Sequence, residues 1–364
     1  MKIAIDISQS IYGTGVSVYT KFLIKNLLRI DKKNQYLLFG GSFRKFKVLK
    51  NIVKDICLDS SNCKTKFIPV SPKISDVLFN KIHFLPIETF IGKVDIFHSS
   101  DWTQPKSKAF KVTTIHDLAP IFMPQFTPRE IVEVHKNRLK RVFNEVNRII
   151  VPSNFTKNEL LRLGFPDEKI KVIYEAAGKI FKPQSSKKVS KLKKRFKINE
   201  NYVMTVGIGK RKNTEGIIKG FELAKAGKDL TLVIVGNSDA SKGTKRGIRY
   251  VGMPEDIDLA TLYSGARALI YPSFYEGFGI PILQAFSCNC PVVTSNITSM
   301  PEIAGDAAIL VNPKDTNSIA EGIKKALSAP KTYIAKGKKR VKEFSWEKTA
   351  KETLEIYKES GGII

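Results

Sequence analysis

Short apolar runs alternate with amphipathic segments along most of the chain. Runs such as Lys2–Asp6, Val94–His98 and Tyr202–Val206 have the length and composition of buried β-strands, and loops with glycine or serine usually follow them. Segments with an apolar period near 3.6 residues, such as Tyr19–Leu28, predict helices between the strands. This alternation predicts an α/β fold built on doubly wound parallel sheets.

The pattern starts afresh in the second half of the chain, so we predict two domains instead of one long sheet. Residues 178–200 separate the halves, because Phe181–Ser186 resembles a linker and Lys187–Lys197 is heavily basic. We place one Rossmann-like domain at residues 1–180 and a second at residues 181–346. An amphipathic helix follows at about residues 347–364, and Ser345 caps its start.

The stretch Tyr271–Phe286 has the local features of an anion site. An apolar strand leads into a tight loop with two glycines, and Pro281 suits the first turn of the helix that follows. Backbone N–H groups and the positive end of the helix favour a phosphate or diphosphate at this point. Glu276 lies at the edge of this site, and Gln284 lies in the first turns of the helix.

A second loop adds positive charge to the same predicted sheet edge. Residues 207–213 follow a strand and include Arg211 and Lys212. Ligands of open α/β sheets bind beyond the carboxyl ends of the strands. Two cations together with backbone N–H groups suit a diphosphate leaving group, whose negative charge grows during a transfer reaction.

Polar residues also follow two predicted strands of the first half. One strand delivers His98, Asp101 and Trp102 to a loop, and the next ends at His116 and Asp117. We interpret them as candidates for ligand contact at the sheet edge, although a single histidine is more often structural.

The glycine loop at residues 13–15 lies between the first strand and the first helix. A dinucleotide fingerprint would need a third glycine at position 18, where Val18 stands, so the NAD signal is weak. The glycines either approach a ligand or only make a tight turn.

The chain of 364 residues carries a formal net charge of +27. This charge could attract nucleic acid, an anionic membrane or phosphorylated small molecules. It could also reflect a lysine-rich amino-acid composition throughout the genome, with no functional meaning. No nucleic-acid-binding motif accompanies the charge, so a nucleic-acid partner is disfavoured. Arg44–Lys50 and Lys187–Lys197 predict reversible contact with an anionic membrane, the alternative being solvated helix faces.

The four cysteines, at positions 57, 63, 288 and 290, form no recognisable disulfide framework, which indicates a reducing compartment. No apolar run approaches the length of a bilayer span, and the chain opens directly on a strand pattern. We therefore expect a cytoplasmic protein.

Asp256-Ile-Asp258 has the Asp-x-Asp form that can bind a divalent metal, but its context predicts acids in the first turn of a helix. No metal site and no cofactor are expected.

The segment Glu276-Gly-Phe-Gly-Ile-Pro-Ile-Leu-Gln284 resembles the signature of glycosyltransferase family 4, the large retaining family with the GT-B fold. The resemblance spans nearly the whole chain, and the order and spacing of its pieces are specific. These pieces are Thr14-Gly-Val16, Ile115-His-Asp-Leu118, Val151-Pro-Ser-Asn154, Arg211-Lys-Asn213, Pro301–Ala307 and Phe344-Ser-Trp346.

The resemblance implies an enzyme that transfers a hexose from a nucleotide-diphosphate sugar to a glycan or lipid-linked acceptor. Transfer would retain the anomeric configuration and need no metal. The two domains would face each other across a cleft, the N-terminal domain would bind the acceptor, and the C-terminal helix would cross back to that domain.

The resemblance also implies roles for single residues. Glu276 would hold hydroxyls of the donor sugar, and His116 would contact the sugar near the reacting carbon. Other donor contacts would come from Gly15, Arg211, Lys212, Gly252, Met253, Gly277, Phe278, Gly279, Ile280 and Gln284. The acceptor side would involve His98, Asp101, Trp102 and Asp117.

Two departures from the family pattern leave alternatives open. Gln284 stands where the family usually has a glutamate that grips the nucleotide ribose, and an amide loses the charge-assisted hydrogen bond. The loop at residues 207–212 is a residue short, so Lys210, Arg211 and Lys212 share the phosphate role without a clear order. A nucleotide-sugar epimerase and a nucleotide-sugar-binding scaffold protein are the alternatives to a transferase.

Overall fold

The structure is a computed structural model that describes residues 1–42, 45–58, 60–198, 201–225, 229–237 and 247–362. The chain divides into two compact units. Unit 1 contains Met1–Glu175 and Trp346–Ile364, and unit 2 contains Ala176–Ser345.

Seven parallel strands of the described chain form the sheet of unit 1, in the order β3-β2-β1-β4-β5-β6-β7. The order reverses between β1 and β4, which opens a crevice at the carboxyl ends of these two strands. The strands are β1 Lys2–Asp6, β2 Gln35–Gly41, β3 Cys63–Ile68, β4 Ile96–Ser99, β5 Phe110–Thr114, β6 Arg148–Val151 and β7 Ile170–Val172.

Helices cover both faces of the central strands of this sheet, whose residues are almost all buried, while the edge strand β3 is largely exposed. One apolar core lies under β1, β2 and β4, and a second lies between β6 and the helices that follow β5 and β6. The α-helices of unit 1 that precede unit 2 in the chain are α1 Gly15–Ile30, α2 Phe46–Cys57, α3 Pro72–Asp76, α4 Glu88–Ile91, α5 Ala119–Phe122, α6 Arg129–Glu145 and α7 Asn154–Arg162. A π-helical segment, Val77–Ile82, continues α3.

The sheet of unit 2 has six described parallel strands in the order β10-β9-β8-β11-β12-β13. Here the order reverses between β8 and β11. The strands are β8 Tyr202–Val206, β9 Thr231–Val235, β10 Ile248–Tyr250, β11 Leu269–Tyr271, β12 Val292–Ser295 and β13 Ile309–Val311. The helices are α8 Ser186–Phe196, α9 Thr214–Lys225, α10 Asp256–Gly265, α11 Ile280–Ser287, α12 Met300–Ala304, α13 Thr316–Ser328 and α14 Pro330–Arg340.

The doubly wound α/β class predicted from the sequence is confirmed in both units. The last helix, α15 Trp346–Lys358, belongs to unit 1 and packs against α1. The Trp346 ring stacks on Phe22 at 5.4 Å between centroids, and the Thr349 hydroxyl donates to the carbonyl oxygen of Tyr174 at 2.7 Å. The chain end is therefore part of the N-terminal fold.

One expectation from the sequence needs correction. Cys57 and Cys63 form a disulfide that links the end of α2 to the start of β3, so the prediction of no cysteine pairing is wrong for this pair. Cys288 and Cys290 are free and buried. The pair escaped the sequence analysis because the spacing of six residues does not show that the segment between α2 and β3 brings the two Cα atoms to 5.9 Å.

The lysines of the segment at residues 45–50 lie on the surface of α2. Arg44 lies outside the described residues, while the apolar residues of α2, Leu49, Val53 and Ile56, pack into unit 1. Lys47, Val48, Lys50 and Asn51 are exposed in the first two turns of α2. In the described part of the chain, no helix is both long and apolar enough to cross a bilayer.

The contact between α15 and the sheet yields a testable prediction. The Tyr357 hydroxyl bonds Nδ1 of buried His98 at 2.6 Å, and Thr114 bonds the other ring nitrogen at 2.9 Å. Tyr357→Phe leaves a buried polar atom without a partner, which lowers the free energy of unfolding by about 1–3 kcal/mol. Both tryptophans, Trp102 and Trp346, lie in unit 1, so tryptophan fluorescence in urea follows this unit.

The matched control is Tyr12→Phe, which removes a hydroxyl from an exposed ring and leaves the unfolding midpoint unchanged. An equal midpoint for Tyr357→Phe and the parent protein would show that the hydroxyl does not anchor the helix.

Candidate active site

Two neighbouring strands of unit 2 form the crevice at which the predicted anion site lies. β8 and β11 pair with each other where the strand order reverses, and their carboxyl ends face one edge of the sheet. The loop after β8 spans residues 207–213, and the loop after β11 spans residues 272–279. The structure thus brings Arg211, Lys212 and Glu276 together.

Asn213 joins the two loops. Its side-chain amide donates to the carbonyl oxygens of Pro272 at 3.2 Å and Pro313 at 2.7 Å. Its backbone has a φ of 59°, a left-handed conformation that asparagine tolerates better than most residues. The backbone N–H of Phe274 also donates to the carbonyl of Arg211 at 2.9 Å. These bonds hold the loops at a defined separation.

The two cations converge on one carboxylate. Lys212 Nζ donates to Glu276 Oε1 at 2.6 Å and to the Tyr271 hydroxyl at 2.7 Å. Arg211 donates to Glu276 Oε2 at 3.2 Å and to the carbonyl oxygen of Tyr275 at 2.7 Å. Each carboxylate oxygen therefore positions one cation, and lone pairs remain for further donors such as sugar hydroxyls.

The residues of this cluster determine one another's protonation states. Burial would raise the pKa of Glu276, but the charges of Lys212 and Arg211 outweigh burial and lower it. Burial and the Glu276 charge raise the pKa of Tyr271 well above its usual value, so its hydroxyl stays neutral. An ionised carboxylate with two cations leaves one positive charge in excess at the crevice.

The loop after β11 presents its backbone at the start of α11. The Ser299 hydroxyl bonds the carbonyl oxygens of the residues that flank Gly277, Glu276 at 2.8 Å and Phe278 at 3.0 Å. Gly279 caps α11 with a φ of 107°, a conformation that side chains rarely adopt. The backbone N–H groups that follow, from Ile280 onward, belong to the first turn of the helix and favour an anion.

Gln284 lies deeper than the loop residues. Its side chain is buried, and its Oε1 accepts a hydrogen bond from the Tyr263 hydroxyl of α10 at 3.2 Å. Gly252 and Met253, the predicted contacts of the base, follow β10 on the same carboxyl edge. The Gly252 carbonyl accepts from the N–H of Gly236 at 2.8 Å, and the Met253 side chain is exposed.

Asp256 and Asp258 lie in the first turn of α10, as their context predicted. The Asp258 carboxylate pairs with Arg195 of α8. Among the described residues, no group of three or more His, Cys, Asp or Glu side chains is arranged to hold a metal ion.

In unit 1, Gly15 begins α1 beyond the carboxyl end of β1. A Cβ placed on Gly15 would meet no protein atom within 4 Å, so the space beside it is open. The preceding Thr14 forms a reciprocal cap with Ser17, whose hydroxyl accepts from the Thr14 N–H at 3.2 Å.

His116 follows β5 and has a defined partner in Glu175. Its Nδ1 lies 3.0 Å from Glu175 Oε1, and the Tyr19 ring meets its imidazole edge-on at 4.6 Å. Burial opposes the protonated ring, but the hydrogen bond and the charge of Glu175, helped by Asp101 and Asp117, raise the pKa of His116. The bond to Glu175 orients the ring and leaves Nε2 as the nitrogen for a ligand.

The residues predicted for the acceptor side each have a partner inside unit 1. Burial and the charges of His116 and Arg138 lower the pKa of His98 to about 3, so this ring is neutral and links Tyr357 to Thr114. Asp101 lies 3.1 Å from the buried Arg138 guanidinium.

Asp117 and Trp102 complete the acceptor-side set. The Asp117 carboxylate accepts from the N–H of Ala119 at 2.9 Å at the start of α5. Trp102 Nε1 donates to the carbonyl of Pro72 at 3.3 Å, and its ring meets His135 edge-on.

Three partners escaped the sequence analysis: Glu175, Tyr19 and Arg138. Glu175 follows β7 as His116 follows β5. His116 was selected because ligands bind beyond the carboxyl ends of parallel strands, and the same reasoning selects Glu175. Tyr19 and Arg138 lie within helices, where the apolar period gives no sign that a polar group turns toward the site.

Family sequence models match most of the chain. One described as Glycosyl transferases group 1 matches residues 186–343, and one described as Glycosyltransferase Family 4 matches residues 15–176. The chain is 32% identical over 281 residues to the O-antigen chain mannosyltransferase B of Escherichia coli. That match covers 72% of this chain and 74% of the relative.

Solved structures share the fold at lower identity. Sucrose-phosphate synthase from Thermosynechococcus elongatus superposes with a TM-score of 0.76 at 19% identity, over 100% of both chains. The Anabaena protein HepE in complex with UDP-glucose gives a TM-score of 0.72 at 15% identity, over 98% of this chain and 99% of that chain.

The His116–Glu175 pair makes the stability of unit 1 depend on pH. The folded pKa of His116 is raised, so the pair stabilises the fold fully below the unfolded pKa of 6.5, and this stabilisation is lost as pH rises through the folded pKa. Glu175→Gln therefore lowers the free energy of unfolding more at about pH 6 than at about pH 9.

Urea unfolding followed by tryptophan fluorescence at both pH values measures the difference. Glu133→Gln, on the exposed side of α6, is the control and shows no such pH dependence. If Glu175→Gln lowers the free energy of unfolding equally at both pH values, the assigned coupling between His116 and Glu175 is contradicted.

Proposed function

Because the chain belongs to glycosyltransferase family 4 and is a group 1 glycosyltransferase, we propose that it transfers a hexose from a nucleotide-diphosphate sugar. The acceptor is a glycan or a lipid-linked glycan. Transfer retains the anomeric configuration and uses protein cations instead of a metal ion.

The observation that carries this proposal is the convergence of Arg211 and Lys212 on Glu276 at the β8–β11 crevice, beside the start of α11. The bond that breaks joins the anomeric carbon to a diphosphate oxygen, which takes the electron pair and gains negative charge. Fixed cations and backbone N–H groups stabilise such charge without reorganising during the reaction. The acceptor hydroxyl forms the new glycosidic bond, and its proton goes to the departing diphosphate oxygen.

Glu276 acts in two ways in this proposal. It holds Arg211 and Lys212 at fixed positions, and its remaining lone pairs accept from hydroxyls of the donor sugar. His116 contacts the sugar near the reacting carbon through Nε2, while Glu175 keeps Nδ1 occupied.

Mannose is the sugar that we propose, because the Escherichia coli relative is named as an O-antigen chain mannosyltransferase. That name also supports an O-antigen chain as the acceptor. The Anabaena neighbour was solved with UDP-glucose, which supports a nucleotide sugar as the donor class.

Incubation with a panel of nucleotide sugars, with and without a mannose-containing acceptor, tests the reaction. We expect a glycosylated product only when donor and acceptor are both present. A changed sugar from donor alone would instead indicate an epimerase, and donor binding without any product would indicate a scaffold protein.

Within the same assay, Glu276→Gln and His116→Ala each lower turnover by about a hundredfold or more, because each removes a group assigned to the transition state. Glu321→Gln, an exposed glutamate of α13, is the control with parent-like turnover. Near-normal turnover in either site variant removes that residue from the mechanism.

Gln284 tests the nucleotide part of the site. If it lies against the ribose, Gln284→Glu restores a charge-assisted hydrogen bond and tightens nucleoside diphosphate binding by about 1–2 kcal/mol, roughly tenfold. Isothermal titration calorimetry measures the affinity for the nucleoside diphosphate. Gln184→Glu is the control variant in the same unit. Unchanged or weaker binding by Gln284→Glu would show that this side chain serves the contact with Tyr263 instead.

A further inference from the structure

One segment of unit 1 carries large apolar side chains on its surface. Residues 73–84, called here the apolar–basic segment, comprise most of α3, the π-helical segment and the two residues after it. Phe84 is 74% exposed, Ile82 is 62% exposed and Ile74 is 54% exposed, and Val77 is exposed as well. Such a concentration of exposed apolar groups marks an interaction surface more often than a solvated one.

The segment is held in place by its buried side. Phe79 is buried in the unit 1 core, and Arg141 of α6 donates to the carbonyl oxygens of Asn80 and Lys81, both at 3.0 Å. The exposed side chains are therefore displayed on a fixed backbone. Their exposure is a property of the fold.

The two lysines of the segment outnumber its one acid. Lys73 and Lys81 are exposed, whereas the segment's acid, Asp76, is buried, bonded to Asn80 at 2.8 Å and 3.6 Å from Lys81 Nζ. An open groove of about 920 Å³ adjoins Lys81. Its lining includes Lys136, Lys140, Phe143 and Leu163.

Exposed apolar side chains beside lysines fit the interface of an anionic bilayer, where apolar groups enter the headgroup region and cations meet lipid phosphates. α2 shows less of this combination, because Leu49, Val53 and Ile56 are buried and its exposed apolar groups, Val48 and Leu58 just after the helix, lie ten residues apart. α8 carries charge with its Leu192 buried. The apolar–basic segment is thus better suited to a membrane than the basic segments selected from the sequence.

We propose that the apolar–basic segment docks this protein onto an anionic membrane surface, with Ile82 and Phe84 entering the headgroup region and Lys73 and Lys81 contacting lipid phosphates. The docking is peripheral and reversible, and it does not depend on which donor or acceptor the enzyme uses.

Co-sedimentation of the 364-residue chain with vesicles tests the proposal. We expect binding to vesicles of phosphatidylcholine with phosphatidylglycerol, weaker binding at high salt, and little binding to phosphatidylcholine alone. The double variant Ile82→Ser/Phe84→Ser lowers binding by about tenfold or more. The control Leu223→Ser/Leu310→Ser removes two exposed apolar side chains from unit 2 and keeps parent-like binding.

A charge-matched pair of variants separates this segment from the general positive charge. Lys73→Gln/Lys81→Gln weakens binding to anionic vesicles more than Lys187→Gln/Lys191→Gln on α8, although both remove two charges. Thermal melts of all variants verify folding, and the single variant Phe84→Ser, at the most exposed position, replaces the double variant if the latter fails to fold.

Three results would overturn the proposal. One is that the parent protein does not bind anionic vesicles. Another is that the serine variants of the segment and of unit 2 bind alike. The third is concentration-dependent self-association, seen by sedimentation velocity and abolished by Ile82→Ser/Phe84→Ser, which would assign the segment to a second copy of this chain.

Discussion

A buried carboxylate holds the candidate site of unit 2 together. Glu276 is only 7% exposed, and a charge at that depth is tolerated because Lys212 and Arg211 contact its two oxygens. Removing one partner of such a group typically costs about 3–5 kcal/mol. Because these cations and Glu276 come from loops after neighbouring strands, the pairing ties both loops to one geometry. The positive charge at the crevice is therefore in place before any anion arrives.

Unit 1 depends on a chain of buried hydrogen bonds at the equivalent edge of its sheet. Tyr357 of α15 bonds His98, His98 bonds Thr114, and Thr114 bonds the hydroxyl of Tyr19, whose ring lies against His116. The last helix of the chain is thus connected through neutral groups to the histidine that we assign to catalysis. Buried networks of this kind specify one arrangement because each unpaired polar group would be costly.

Local patterns accounted for much of what the structure shows. The strand runs, the loops after β8 and β11 and the acids in the first turn of α10 followed from apolar period and composition, which act over a few residues. The disulfide between Cys57 and Cys63 and the pairing of Arg138 with Asp101 did not. The cysteine pair depends on how the short segment between α2 and β3 folds, and the Arg138–Asp101 pair depends on α6 packing beside the loop after β4. Apolar period and composition show neither.

The sequence by itself determined the class of the fold, the two repeated α/β patterns and the identity of the chemical groups at the strand ends, because these depend on local periodicity. Only the tertiary structure decided which groups meet. It paired Glu276 with both cations, turned Gln284 toward Tyr263, and gave His116 its partner Glu175. It also buried the apolar face of α2 while leaving Ile82 and Phe84 exposed, since burial depends on which neighbours cover a side chain.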